Sequence, residues 1–266
     1  MLAADEPFVR WSWVEDHLDD IRADAIEHVQ LTALAVGIGF ALAMAMALVA
    51  VRWRWTYGIL AGFCAVLYSI PSVALFGILV PITGLGIVPA EIALVGYTLL
   101  ILLRNIVAGI DGVPAHVREA ADGMGYEPWR RVLRIDLPLA LPAIIAGLRI
   151  ATVTTVGLVT VASLVGKGGF GNLINDGLGR DFSTPVVVGT VLSVALAVAL
   201  DIVFVVIERW TTPWARQEGG PRDTRLDPGA PVHTPLPVTI TTQANPVAAA
   251  AAGAAGTARA SGVGDG

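Results

Sequence analysis

Residues 111–138 read DGVPAHVREAADGMGYEPWRRVLRIDLP, a polar island in a chain otherwise written for hydrocarbon. Arg118, Arg130, Arg131 and Arg134 lie within it and Arg104 just before it. Arginine between apolar spans marks the cytoplasmic side of a membrane, and Arg52 and Arg54 carry the same mark. Two segments on one side need an even number of crossings between them, so the stretch from Arg54 to Asp111 must cross twice. The side of this one island sets the topology around it.

Outward from the island, composition supports the crossings. Over 266 residues the chain is 55% hydrophobic and 15% charged, against about 25% charged in an average soluble domain. A helix of about 20 apolar residues spans a bilayer, and Leu31 to Val51 carries no charge. The charge-free run from Thr56 to Ala90 would be about 52 Å long as a helix, too long for one ~30 Å core and short for two helices with a turn. Pro71 can kink a continuing helix, whereas Pro81, Gly84, Gly86 and Pro89 crowd together as a loop signature. The predicted spans are about 31–51, 57–80, 90–110, 139–165 and 186–207, with a cytoplasmic loop over 111–137 and an outer loop from Gly166 to Pro185. Five crossings place the N-terminus outside and the C-terminus in the cytoplasm.

The flanks read differently. In residues 1–30, Val14, Leu18, Ile21, Ala25 and Val29 recur at helical spacing among Asp, Glu and His, which predicts an extracytoplasmic amphipathic segment. Asp5 and Glu6 stand where a cleaved signal would carry positive charge, so the first crossing is expected to persist. Residues 215–266 are rich in Pro, Gly, Ala and Thr without apolar periodicity, predicting a disordered cytoplasmic tail. All seven tryptophans fall outside the predicted spans, as interfacial rings should. The lone Cys64 excludes an intrachain disulfide, and the net charge of −5 offers no nucleic-acid footprint.

Within the island, Pro114 suits a helix start, Gly123 and Gly125 a stop, and Pro128 a second start. A short helix, a glycine turn and a second helix with Trp129, Val132, Leu133 and Ile135 on one face would project the first helix as a knob. The defining residues are Glu119-Ala120-Ala121, then Gly125, Ile135 and Leu137-Pro138, with intervals of three, nine and one. This order resembles the signature loop of binding-protein-dependent ABC importer permeases, over a likeness from roughly Thr32 to Trp214. The resemblance implies the all-α type I ABC importer permease fold, with about five transmembrane helices and a cytoplasmic coupling helix seated in a cleft of an ATPase subunit. It further implies a second permease subunit, identical or paralogous, an extracytoplasmic solute-binding protein, and a place in a prokaryotic inner membrane. ATP and Mg would be bound by the ATPase, leaving this chain with no cofactor and no enzymatic chemistry.

Part of the likeness is narrower. Ile70-Pro71-Ser72-Val73-Ala74-Leu75-Phe76-Gly77, Gly84-Leu85-Gly86-Ile87-Val88-Pro89-Ala90, Arg104-Asn105 and the Gly123-Met124-Gly125 turn are similar to permeases for glycine betaine, choline, carnitine and related osmoprotectants. Where that branch usually has Gly-Ala-Gly-Gly-Leu-Gly, this chain has Gly166-Lys167-Gly168-Gly169-Phe170-Gly171. A permease for methionine or a sulfonate is the alternative within the class. A secondary transporter would show paired repeats, which five crossings do not divide into. A membrane scaffold would leave the Glu119 to Pro138 spacing without a reason.

Other signals carry less. Gly166, Gly168 and Gly171 fit a G-x-G-x-x-G pattern but follow a membrane helix, not a strand, and His17, His28, His116 and His233 have no metal-ligand spacing. Ala33, Gly37, Ala41 and Ala45 form a small-residue stripe for helix packing. Arg149 and Asp201 lie inside spans, where insertion scales charge ~2.5 to 3.5 kcal/mol at a helix centre. Arg149 could snorkel to the inner headgroups or serve a gate, and Asp201 could face a polar pathway, pair with Arg149 or open to a solvated vestibule. Ser69, Pro71 and Ser72 at the kink, with Arg149 and Asp201, are the candidates for a pathway or gate.

Overall fold

The computed structural model describes residues 9–213, and within them every regular element is helical. Helix α1 (Trp11–Asp16) leads into α2 (Leu18–Arg52), a single 35-residue helix that joins the amphipathic stretch to the first crossing without a break at residue 30. At about 52 Å it exceeds the hydrocarbon core, so one end projects beyond it. Helices α3 (Arg54–Ser69) and α4 (Ser72–Thr83) follow, then α5 (Ile87–Asp111) and the short α6 (Ala115–Gly123). Helix α7 (Pro128–Arg131) runs through one π turn (Val132–Asp136) into α8 (Leu137–Val161) and a 3₁₀ turn (Ala162–Val165). Helices α9 (Phe170–Gly179) and α10 (Ser183–Thr211) complete the described part. The tail expected over 215–266 lies outside the described residues.

Helix α5 forms the centre, with α2 and α8 packed on it, because apolar side chains surround it from Ala90 to Ile110 and Leu94, Leu102, Leu103 and Ile106 are fully buried. Close approach depends on missing side chains: a Cβ on Gly39 would stand 1.9 Å from Thr98 Oγ1, and one on Gly147 2.6 Å from Asn105 Cβ. The predicted small-residue stripe Ala33, Gly37, Ala41 and Ala45 is exposed. The stripe that packs is two positions over, Ala35, Gly39, Ala43 and Ala47, all buried. Alanine on both faces of α2 leaves composition unable to choose between them.

Four helices, α2, α5, the continuous 128–165 segment and α10, are long and apolar enough to cross a membrane. The expected kinked crossing at 57–80 is instead a pair, α3 and α4, bent by 94° at Ile70–Pro71, and it brings the number to five if counted as one span. At about 24 Å, α3 nearly crosses alone, and α4 then lies across its end. The Ile70 carbonyl freed by the break accepts a hydrogen bond from the Tyr97 hydroxyl on α5. Pro81, read above as part of a loop, lies inside α4, and the chain turns at Gly84 and Gly86, whose φ angles of 79° and 122° favour glycine. The predicted outer loop 166–185 contains α9, packed on α10. Its ten residues are too few for periodicity to announce.

Candidate functional site

The knob exists as α6, and its mounting is electrostatic. Asp136, in the π turn, is buried, with Arg118 Nε 3.7 Å from one carboxylate oxygen and Arg131 Nε 3.6 Å from the other. Arg118 also donates to the Ile110 carbonyl at the end of α5, and Arg131 donates to Asp122 at 2.6 and 2.7 Å. A single carboxylate thus ties α6, α7 and the C-terminal end of α5 to the root of α8. Nearby, Arg54 forks Asp111 with two bonds of 2.9 Å and fixes the start of α3 to the end of α5. Asp136 sits between Ile135 and Leu137 in the signature, at a position the motif leaves unspecified, so the spacing gave no sign of it.

On this mount the signature residues divide by role. Ala121 is buried, whereas Glu119 and Ala120 are exposed. Among the described residues Glu119 has no ion-pair partner, so its carboxylate is available to another chain. Gly125 takes φ 80° and ends the knob with its N–H on the Asp122 carbonyl at 3.0 Å. Ile135, Leu137 and Pro138 are half-buried where the π turn becomes α8. The expected second helix runs through the π turn into α8 without a break, so it is continuous with the helix of the predicted fourth crossing. Beside it, a cleft of about 700 Å³ lies between Leu48 to Trp53 at the end of α2 and Glu127 to Val132.

The pathway candidates fall into two groups. Ser69 is exposed and donates to its own helix at the Val66 carbonyl (2.8 Å), while Pro71 and Ser72 begin α4 after the bend. Arg149 and Asp201 meet: Nε and Nη2 of Arg149 donate to the two oxygens of Asp201 at 2.9 and 3.0 Å, and Nη1 lies 3.5 Å from Glu208. Of the openings left by the sequence, pairing is the one the structure shows. No hydrogen bond among the described residues links this pair to Ser69, Pro71 or Ser72.

A third cluster at the opposite end had no sequence signal beyond the departure at Lys167. Glu27 on α2 accepts from Lys167 Nζ at 2.8 Å and from the Gly168 and Gly169 N–H groups at 3.0 and 3.1 Å. The fully buried His28 accepts from the Phe170 N–H through Nδ1 (3.3 Å) and donates from Nε2 to the Val156 carbonyl (3.1 Å), which fixes a neutral tautomer. Asn172 donates to Asp24 at 2.9 Å. Together these hold the 166–172 segment to the projecting end of α2, and glycine is required there: a Cβ on Gly171 would come 2.1 Å from the Thr160 carbonyl oxygen. Glu91, one turn into α5, is buried with neither carboxylate oxygen hydrogen-bonded among the described residues, and spacing did not single it out.

Comparison with known proteins agrees with this architecture. Residues 37–213 match the family described as the binding-protein-dependent transport system inner membrane component. The chain is 35% identical to the glycine betaine/carnitine/choline transport system permease protein OpuCB of Bacillus subtilis (strain 168), over 70% of this chain and 86% of that protein. It is 36% identical to the choline transport system permease protein OpuBB of the same organism, over 72% and 88% of the two chains. Among solved structures, a chain of the MetNI methionine ABC transporter in an inward-facing conformation shares the fold, with a TM-score of 0.65 at 21% identity, covering 72% of this chain and 96% of that one.

Proposed function

Because this chain belongs to the family of binding-protein-dependent transport system inner membrane components, and so is the permease subunit of an ABC importer and not an enzyme, we propose that its solute is a small osmoprotectant such as glycine betaine, choline, carnitine or proline betaine. The observation that carries this reading is likeness to osmoprotectant permeases at 35% and 36% identity over most of each chain. Likeness to the methionine transporter, at 21% identity, is one of fold and favours no solute.

The family implies ATPase and binding-protein partners in an inner membrane. The finer assembly proposed is a permease dimer over two ATPase subunits, which bind ATP and Mg, with Glu119 to Gly125 as the coupling helix. The chemistry of α6 supports it: an exposed carboxylate beside a small exposed alanine allows close approach and charge-assisted hydrogen bonds. Uptake of labelled glycine betaine, choline and carnitine tests the solute, in cells lacking other osmoprotectant importers and expressing this permease with its cognate ATPase and binding protein. Accumulation of at least one, dependent on the binding protein, is the expected result. Uptake of methionine or a sulfonate with none of the three would replace the reading.

Orientation has its own test. In a Cys64→Ser background, Ser12→Cys and Asn175→Cys should react with an impermeant thiol reagent applied outside, and Ala115→Cys should stay unlabelled until the membrane is opened. Labelling at position 115 from outside would reverse the proposed topology, in which the N-terminus is outside and α6 is cytoplasmic.

A further inference from the structure

Arg149 is the middle residue of α8, about 18 Å from either end, and Asp201 lies within about 6 Å of the middle of α10. Both therefore sit at hydrocarbon depth. Neither is enclosed by this chain, the side chains being 31% and 37% exposed in a groove of about 450 Å³ between α8 and α10, lined by Ala146, Ile150, Val153 and Thr154. Ionised side chains at that depth are kept where the face they occupy meets water or protein instead of lipid. In an importer subunit a face of this kind that meets water lies along the route of the solute.

We propose that the Arg149–Asp201 pair is a charge-exchange site for a zwitterionic solute on the translocation pathway. The solute carboxylate takes the fork of the Arg149 guanidinium, and its methylated ammonium takes the Asp201 carboxylate. The proposal rests on the osmoprotectant reading above and specifies the solute within it. A betaine carries one charge of each sign, so it can part the two side chains without leaving either unpaired in a poorly solvating region, where an uncompensated charge is costly. Glu208, 3.5 Å from Arg149, helps hold the guanidinium in place during the exchange. A quaternary ammonium has no N–H to donate. It needs a carboxylate for charge and apolar carbon for contact, and Ile150 and Val153 supply the carbon beside Asp201. Since ion pairs are exchanged and not added, affinity stays low, as passage requires: a site that holds too tightly does not release. A choline-like cation has no carboxylate to offer Arg149 and gains nothing from the exchange.

The test uses the complete importer in proteoliposomes, with permease, ATPase subunits and loaded binding protein, reading glycine betaine imported per ATP hydrolysed. R149M/D201L replaces the pair by apolar groups of similar volume, which preserves helix packing. It should assemble with normal stoichiometry and import at least tenfold less glycine betaine per ATP. Import retained by this variant would make the pair a tie between α8 and α10 and overturn the site. R149K keeps the charge and the tie but cannot fork a carboxylate. It should lower the ratio at least threefold, and decides the matter if the double variant fails to assemble; an unchanged ratio overturns the site. A wild-type importer that moves choline but no betaine also overturns it while leaving the osmoprotectant reading intact. Import of neither would instead remove that reading, and the site with it.

Discussion

Replacing Glu119 by lysine should reduce ATPase subunits copurifying with the permease by at least about tenfold while the permease itself stays folded in the membrane. The reason lies in how α6 is mounted. Glu119 is exposed and, among the described residues, unpaired, so its loss removes nothing that holds the loop. Setting like charges face to face across an interface costs several kcal/mol, and each 1.4 kcal/mol is about a factor of ten in occupancy. Ala120→Trp should do the same by bulk, since Ala120 is exposed. Ala121 is 1% exposed, and a large residue there should act differently, disturbing the mount before any partner arrives. Normal stoichiometry, binding-protein-stimulated hydrolysis and uptake in both Glu119→Lys and Ala120→Trp would show that α6 is not the coupling element.

Asp136→Asn should loosen the same knob without touching the proposed contact surface. The carboxylate is buried between Arg118 and Arg131, whose side chains are 29% and 21% exposed, so neutralising it leaves two guanidinium groups facing each other with part of their hydration already lost. A cost of about 2 kcal/mol follows from removing the charged partner of partly buried ions, or roughly thirtyfold in local opening. Amide hydrogen exchange over 115–131 in the purified complex should accelerate by that order, with a parallel loss of solute imported per ATP. Protection and uptake both equal to wild type would assign Asp136 no part in holding the loop.

The sequence showed what repeats locally and lost what is decided across the fold. Charge-free lengths marked the four long apolar helices because hydrocarbon imposes a simple minimum length, and the proline and glycine punctuation marked the bounds of α6. Pro71 announced a kink in a continuing helix, but the 94° break found there leaves the Ile70 carbonyl to accept from the Tyr97 hydroxyl, 27 residues away, a contact no local pattern announces. The Glu27 cluster pairs residues about 140 positions apart, and no periodicity links α2 to the 166–172 segment. The sequence marks Arg149 and Asp201 as charges needing partners, with pairing one of three openings; the choice among them depends on how α8 packs on α10, the two residues being 52 apart in the chain. In α2, alanine on every face hid which stripe was buried.

The π turn at Val132–Asp136 gives the spacing of the signature a geometric meaning. A π turn closes its hydrogen bond one residue later than an α turn, so it inserts one residue and advances the side chains beyond it by about 100°. Part of the nine-residue interval between Gly125 and Ile135 therefore encodes rotation and not length. Deleting one residue there would let the helix close as plain α with the faces of α8 still in phase with the knob, whereas the same residues wound wholly as α would turn every face of α8 by about 100° relative to it. The counting rule in the sequence is in this sense a phase setting between α6, the proposed contact helix, and the long apolar helix α8.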